Sequence, residues 1–166
     1  NYDRQLKRAI TICKFNRQPN IAKFLGEKMA LATTFIPSSI TAHPNLYLAP
    51  IPLHAQKLKV RGFNQAELIA RRFSDRAGLK ILPQLLQRIK NTKPQFETNS
   101  PQEREENLRN AFRVDRNFLS SHPSSNISVL LLDDIYTSGA TVRAAIAALN
   151  AAKIEVAGVV VLSKTS

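Results

Sequence analysis

The spacing of hydrophobic positions changes twice along the chain. Over residues 2–32, Leu6, Ile10, Cys13, Ile21, Phe24, Leu25 and Met29 are spaced for one face of a helix, with a break at residues 16–20. Lys7, Arg8, Lys14, Arg17, Lys23 and Lys28 fall among them, so the segment predicts two basic amphipathic helices. Pro19 suits either the loop between them or the first turn of the second. Residues 33–45 gather Pro37, Ser38, Ser39, His43, Pro44 and Asn45 and read as a linker.

From there the pattern becomes strand-like. Residues 46–52, LYLAPIP, predict a short buried strand whose pairing ends at two prolines that lack a donor. Residues 54–64 predict a loop. Residues 65–76 predict a helix with Leu68, Ile69 and Phe73 on one face and Gly78 at its end. Residues 81–86 and 111–114 predict short strands. Between them, residues 88–109 are polar and charged, with a turn or two of helix over 103–108. A polar insert of that length is a functional or a disordered segment. Residues 120–126, SSHPSSN, predict a loop.

The last forty residues read as strand (127–132), loop (133–141), alanine-rich helix (142–152) and strand (156–162). This is a βαβ unit, with parallel strands and a right-handed crossover. Strands apolar on both sides call for helices on both sheet faces. The expectation is one α/β domain over residues 1–166. An open, mostly parallel sheet of about five strands lies in 46–166, preceded by a helical segment over 1–32.

Composition narrows the classes. A chain of 166 residues fits one domain with a real core. No apolar run approaches the roughly 20 residues of a membrane-spanning helix. The first residues, NYDRQLKRAI, lack the pattern of a signal peptide. They also lack an initiator Met, so the chain is expected to begin inside a longer protein. Cys13 is the sole cysteine, which excludes an internal disulfide and a cysteine-built zinc site. It fits a reducing, cytoplasmic setting. His43, His54 and His122 have no metal-ligand spacing. Twenty-four Lys and Arg against twelve Asp and Glu give a net charge of +12. That excess implies a polyanionic partner: a phosphorylated small molecule, pyrophosphate or nucleic acid.

The sharpest motif is VLLLDDIYTSGAT, residues 129–141. A buried strand delivers Asp133 and Asp134 to its C-terminal edge, where open α/β sheets bind ligands. Thr137, Ser138, Gly139, Ala140 and Thr141 then lead into a helix. Small residues let backbone approach a ligand, Gly139 supplies torsions closed to other residues, and N–H groups at a helix start attract an anion. Such a loop suits a phosphate monoester. The two acids cannot contact that phosphate, because like charges repel. Ribose hydroxyls or Mg2+ a sugar's length away are natural targets, and a ribose 5-phosphate satisfies both halves. The plain alternative is a strand ending in an Asp-capped turn, but capping needs fewer of these groups. A P-loop would need a Gly-Lys pair and a dinucleotide fingerprint more glycines; neither is present. A phosphoacceptor domain would need far more chain after the acids.

The motif resembles the 5-phosphoribosyl 1-pyrophosphate (PRPP) motif of type I phosphoribosyltransferases: four apolar residues, two acids, two variable positions and a Thr/Ser-Gly-x-Thr loop. Two further segments narrow the resemblance to the ComF/GntX group. One is APIPLHAQKLKVRGFNQA (49–66). The other is the stretch 88–112, with Arg88, Thr92 and Gln95 and then Arg104, Asn107, Ala111 and Phe112. Arg104 and Asn107 stand one residue further apart than in the group's pattern. The resemblance covers nearly the whole chain and implies the type I phosphoribosyltransferase fold, with residues 1–32 contributing to a hood. Members of the group usually begin with a cysteine-rich zinc-binding segment, which this chain lacks.

The resemblance also implies roles. PRPP would sit on Asp133, Asp134 and residues 137–141, with Mg2+ carried by PRPP and possible contact to the two acids. Arg61 and Gly62, and with them Asn64 and Gln65, would take pyrophosphate. The competing reading for Asn64 and Gln65 is that they cap the helix that starts there. Arg88, Lys90, Lys93 and Arg104 would lie on a mobile loop closing over the substrate, or on a solvated charged loop. Asp133, Asp134 and Arg61 would be catalytic, transferring phosphoribosyl to a nitrogenous acceptor with release of pyrophosphate. The alternatives are a competence component that binds PRPP or a nucleotide together with single-stranded DNA, and a protein-interaction scaffold. For the DNA reading, Tyr2, Phe15, Phe24, Phe63 and Phe96 lie near basic residues and could act as stacking platforms.

Overall fold

A computed structural model describes residues 4–15, 18–31, 36–43, 45–92, 101–121 and 127–164. The N-terminal stretch forms α1 (Arg4–Phe15) and α2 (Pro19–Ala30). Pro19 occupies the first turn of α2, where a missing N–H leaves no bond unmade. A single turn, α3 (Ser38–Thr41), precedes strand β1 (Leu46–Pro50). After β1 the predicted loop is instead largely helical. In α4 (Ala55–Arg61) the His54 ring accepts from the Gln56 N–H at 3.3 Å, and Gly62 ends the helix with φ +87°. Helix α5 (Gln65–Ala77) follows, closed by Gly78 at φ +69° as its sequence predicts.

The predicted strand over 81–86 divides in two. β2 (Lys80–Ile81) pairs in parallel with β1, and β3 (Leu86–Arg88) turns away to a second sheet. Pro83, in the turn between them, has no N–H to carry a ladder onward. Helix α6 (Pro101–Leu108) leads to β4 (Phe112–Val114), which pairs antiparallel with β3. The short α7 (Arg116–Ser121) precedes β5 (Ser128–Tyr136), α8 (Ala140–Ala151) and β6 (Glu155–Lys164).

Among the described residues the main sheet is therefore four parallel strands in the order β2-β1-β5-β6, with a separate β3-β4 pair, where the sequence predicts one sheet of about five. Alternate residues of β5 feed two cores. Val129 and Leu131 pack towards α8 and the β3-β4 pair, with Leu85, Leu108, Phe112 and Leu149. Leu130 and Leu132 pack towards α1, α2 and α5, with Ile10, Leu25, Ile69 and Phe73. Helical layers on both faces explain why the central strand is uniformly apolar.

β5 also runs further than its apolar run indicates. Its pairing with β1 ends at Leu132, opposite Pro50. Its pairing with β6 continues through Asp133↔Val161 and Ile135↔Ser163 to Tyr136↔Lys164. The two acids thus belong to the strand, not to the loop. They lie past the end of the pairing with β1.

Candidate functional site

Strand geometry separates the two acids. Successive residues of a strand point to opposite faces. Asp134 turns towards α5 and is 5% exposed, while Asp133 is half-buried and turns towards the β3-β4 pair. One Asp133 oxygen accepts from the Asp134 backbone N–H at 2.8 Å. The two carboxylates therefore leave the strand on opposite faces, Asp134 within the field of Arg61 and Asp133 within that of Arg88.

On the α5 side, Asp134 accepts from the Gln65 amide at 3.1 Å. The oxygen of the same amide accepts from Arg61. Arg61 is the last residue of α4, and the left-handed turn at Gly62 folds the chain so that Arg61 and Gln65 meet across it. Asn64 caps α5 by accepting from the Ala66 N–H at 3.2 Å. It also donates to the Ile51 carbonyl at 3.1 Å, which ties the helix start to the end of β1. Burial pushes the Arg61 guanidinium below its usual range, and Asp134 and then Cys13, a buried residue of α1, oppose that shift.

On the other side, Arg88 lies on β3 rather than on a loop. Its guanidinium stands 5.4 Å from the centroid of the Phe112 ring and donates to the Thr92 hydroxyl. Its Nε is buried without an acceptor. Burial lowers this guanidinium's pKa too, and Asp133 opposes the shift. Lys57 of α4 donates to the Thr92 carbonyl at 2.8 Å, and Asn91 bonds Gln56. The start of the polar segment is thus stitched to α4. Lys90 is exposed there. Lys93 lies outside the described residues, as does the side chain of Arg104.

The loop itself leaves β5 at Tyr136. Thr137 is exposed, Ser138 is half-buried, and Gly139 is buried with φ +76° at the start of α8. The Ser138 hydroxyl accepts from the Ala140 N–H at 3.4 Å. The first turn of α8 contains no acid, so its N-terminal partial charge favours an anion. Helix α8 begins at Ala140, two residues earlier than its apolar pattern predicts.

Three further residues, Arg143, Glu105 and Tyr136, border the loop. Arg143 reaches back from α8 to the Ser138 carbonyl at 2.9 Å and pairs with Glu105 of α6. A Cβ at position 139 would collide with the Tyr136 hydroxyl oxygen, so that ring closes over the turn. A basic residue four positions after a helix-starting glycine is the one hint that could have pointed to Arg143. A cavity of about 680 Å3 runs along α8, lined by Leu108, Phe112, Val114 and a row of alanines. It reaches the loop only through Arg143 and does not include the acids.

Among the described residues, no three of His, Cys, Asp and Glu gather into a metal-binding cluster. No helix among them is long and apolar enough to cross a membrane.

No protein-family model matches the chain. Curated relatives do. Competence protein F of Haemophilus influenzae is 31% identical over 96 residues, 58% of this chain and 40% of that protein. The DNA utilization protein YhgH of Salmonella typhimurium is 28% identical over 129 residues, and that of Salmonella typhi 29% over 130. Over the aligned residues the chain is similar to these competence and DNA utilization proteins. Each YhgH match covers 78% of the chain and 54% of the relative, so the chain spans about half the length of these relatives or less. The motifs at residues 49–66, 88–112 and 129–141 thus led to the same group as the alignments.

Proposed function

We propose that the chain binds PRPP at the C-terminal end of β5 and transfers its phosphoribosyl group to a nitrogenous acceptor. The observation that supports this best is the strand-borne acid pair running into the Gly139 turn, with Arg61 and Arg88 flanking it. The 5-phosphate rests on the N–H groups and hydroxyls of residues 137–141. The ribose hydroxyls lie towards the acid pair. Pyrophosphate departs from C1 with the bonding electrons, and the acceptor nitrogen forms the new C1–N bond. The developing positive charge on the sugar resembles that of glycoside cleavage, and a nearby carboxylate favours it. Positioning, and cations around the leaving group, supply most of the rate.

Mg2+ bound together with PRPP would supply charge neutralisation for the leaving pyrophosphate. With the acids on opposite faces, the protein offers it single carboxylates rather than a cage. Asp133 and Asp134 are the groups that would meet it. Calorimetric titration with PRPP and Mg2+ tests the reading. Wild type is expected to bind, and Asp133→Asn/Asp134→Asn to lose at least about tenfold in affinity, the size of one charge-assisted contact. Equal affinity in the two proteins would overturn it.

A second reading concerns DNA. Phe24 on α2 is 55% exposed, with the Lys28 ammonium 5.5 Å from its ring centroid and Arg76 beside the same surface hollow. Glu27 lines the same hollow, and an exposed ring with two cations beside it suits base stacking and phosphate contact on a single strand. The YhgH relatives carry DNA utilization in their name and the Haemophilus relative carries competence. We propose that the chain serves DNA handling in a competence-related role, with α2 as its single-strand contact.

A further inference from the structure

We propose that Gln65 is the positioning residue of this site: one buried amide holds Asp134 on one side and Arg61 on the other, and so couples what binds at the two ends. The inference rests on the phosphoribosyl reading, in which Arg61 faces pyrophosphate and the acids face ribose. It goes beyond that reading in giving Gln65 a task that touches neither group.

Gln65 is 6% exposed, and both ends of its amide are engaged. The oxygen accepts from Arg61 and the nitrogen donates to Asp134 at 3.1 Å. A guanidinium can only donate and an ionised carboxylate can only accept. The amide therefore satisfies both partners in one orientation alone. Turned by half a revolution, it would set N–H against N–H on one side and oxygen against carboxylate on the other. That locks the side chain, and the lock fixes both charged groups relative to the sheet edge.

The interposed amide also keeps Arg61 and Asp134 from neutralising each other directly. Arg61 spends one N–H on Gln65 and has four more for an incoming anion. An anion drawn to Arg61 weakens its hold on the amide oxygen, and the amide then leans towards Asp134. Occupancy at the cation end thereby changes the carboxylate end. The Gln65 nitrogen donates to Asp134 and the Asn64 oxygen caps α5, so each has a structural task beside the pyrophosphate role that the resemblance implies.

A double-mutant cycle on the full chain tests this, with PRPP and Mg2+ as the probe. Arg61→Gln and Asp134→Asn are measured singly and together, with Gln65 intact and in the Gln65→Met background. With Gln65 intact, the two losses of affinity are expected to fall short of multiplying by at least about threefold, as linked neighbours do. In the Gln65→Met background they are expected to multiply within about twofold. A purely structural Gln65 would weaken every protein alike and leave the cycle unchanged. Losses that multiply with Gln65 intact, or a shortfall that persists in the Gln65→Met background, would overturn the proposal. The same cycle is read by urea unfolding without ligand. If wild type binds no PRPP, the phosphoribosyl reading falls. The unfolding cycle then decides the coupling by itself: non-additivity that vanishes with Gln65→Met supports it, and additivity overturns it.

Discussion

Gly139 turns the chain with φ +76° and Gly62 with φ +87°, torsions that a Cβ disfavours. Replacement of either by Ala is expected to cost about 1–2 kcal/mol, read as a lower urea midpoint. The two then part company. Nothing lies within 4 Å of a Cβ at Gly62, whereas one at Gly139 would meet the Tyr136 hydroxyl and Arg143. Both are tips of side chains that can swing away, so the stability losses should be alike. Only Gly139→Ala should also disturb the ring over the loop. At this scale the sequence exposes residues whose type is itself the signal: the paired acids, the loop glycine and the RGFNQ block. Tyr136, Arg143 and Glu105 act through space, and only the place of Arg143, four residues after a helix-starting glycine, hints at it. The placing of the acids on opposite faces, Asp134 bonded to Gln65, was equally hidden, because it depends on the strand continuing past Leu132.

Elements were legible wherever local chemistry decides them. The break between α1 and α2, the capped α5 and the βαβ unit follow from Pro19, Gly78 and the apolar runs. Element ends were misread where a neighbour decides. β5 extends through two acids because β6 runs alongside, and α4 forms in a polar stretch because His54 and Gly62 cap it. The contact of α2 with α5 is also set by one residue. A Cβ on Gly26 would lie 2.6 Å from the Ile69 carbonyl oxygen and 2.8 Å from the Arg72 Cβ. Backbone cannot swing aside, so Gly26→Ala must part the helices. The expected cost is about 1–3 kcal/mol by urea unfolding, typical of overpacking. A loss under about 0.5 kcal/mol would mean the helices meet less closely than described.

For the molecule as a whole, charge is the dominant fact. A net +12 leaves an excess of cations after the ion pairs Arg71–Glu67, Arg72–Asp75 and Arg143–Glu105. These pairs are exposed and contribute little to stability. The excess favours polyanionic partners. Affinity for a labelled single-stranded oligonucleotide should fall steeply with salt, and Phe24→Ala should weaken it roughly tenfold through lost stacking. Equal affinity for wild type and Phe24→Ala would remove α2 from that contact. The whole-molecule architecture was readable as parallel α/β from the last forty residues. Its strand count was not, because residues 80–88 serve two sheets and only the turn at Pro83 marks the division.

The account turns on where phosphate binds. The most direct measurement is an NMR titration of the isotope-labelled chain with PRPP and Mg2+, following backbone amide shifts. The largest saturating changes should fall on residues 137–141, with smaller ones at Arg61 and Gln65. Binding that leaves residues 137–141 unmoved, or no binding at millimolar PRPP, would contradict the assignment of this sheet edge as a phosphoribosyl site.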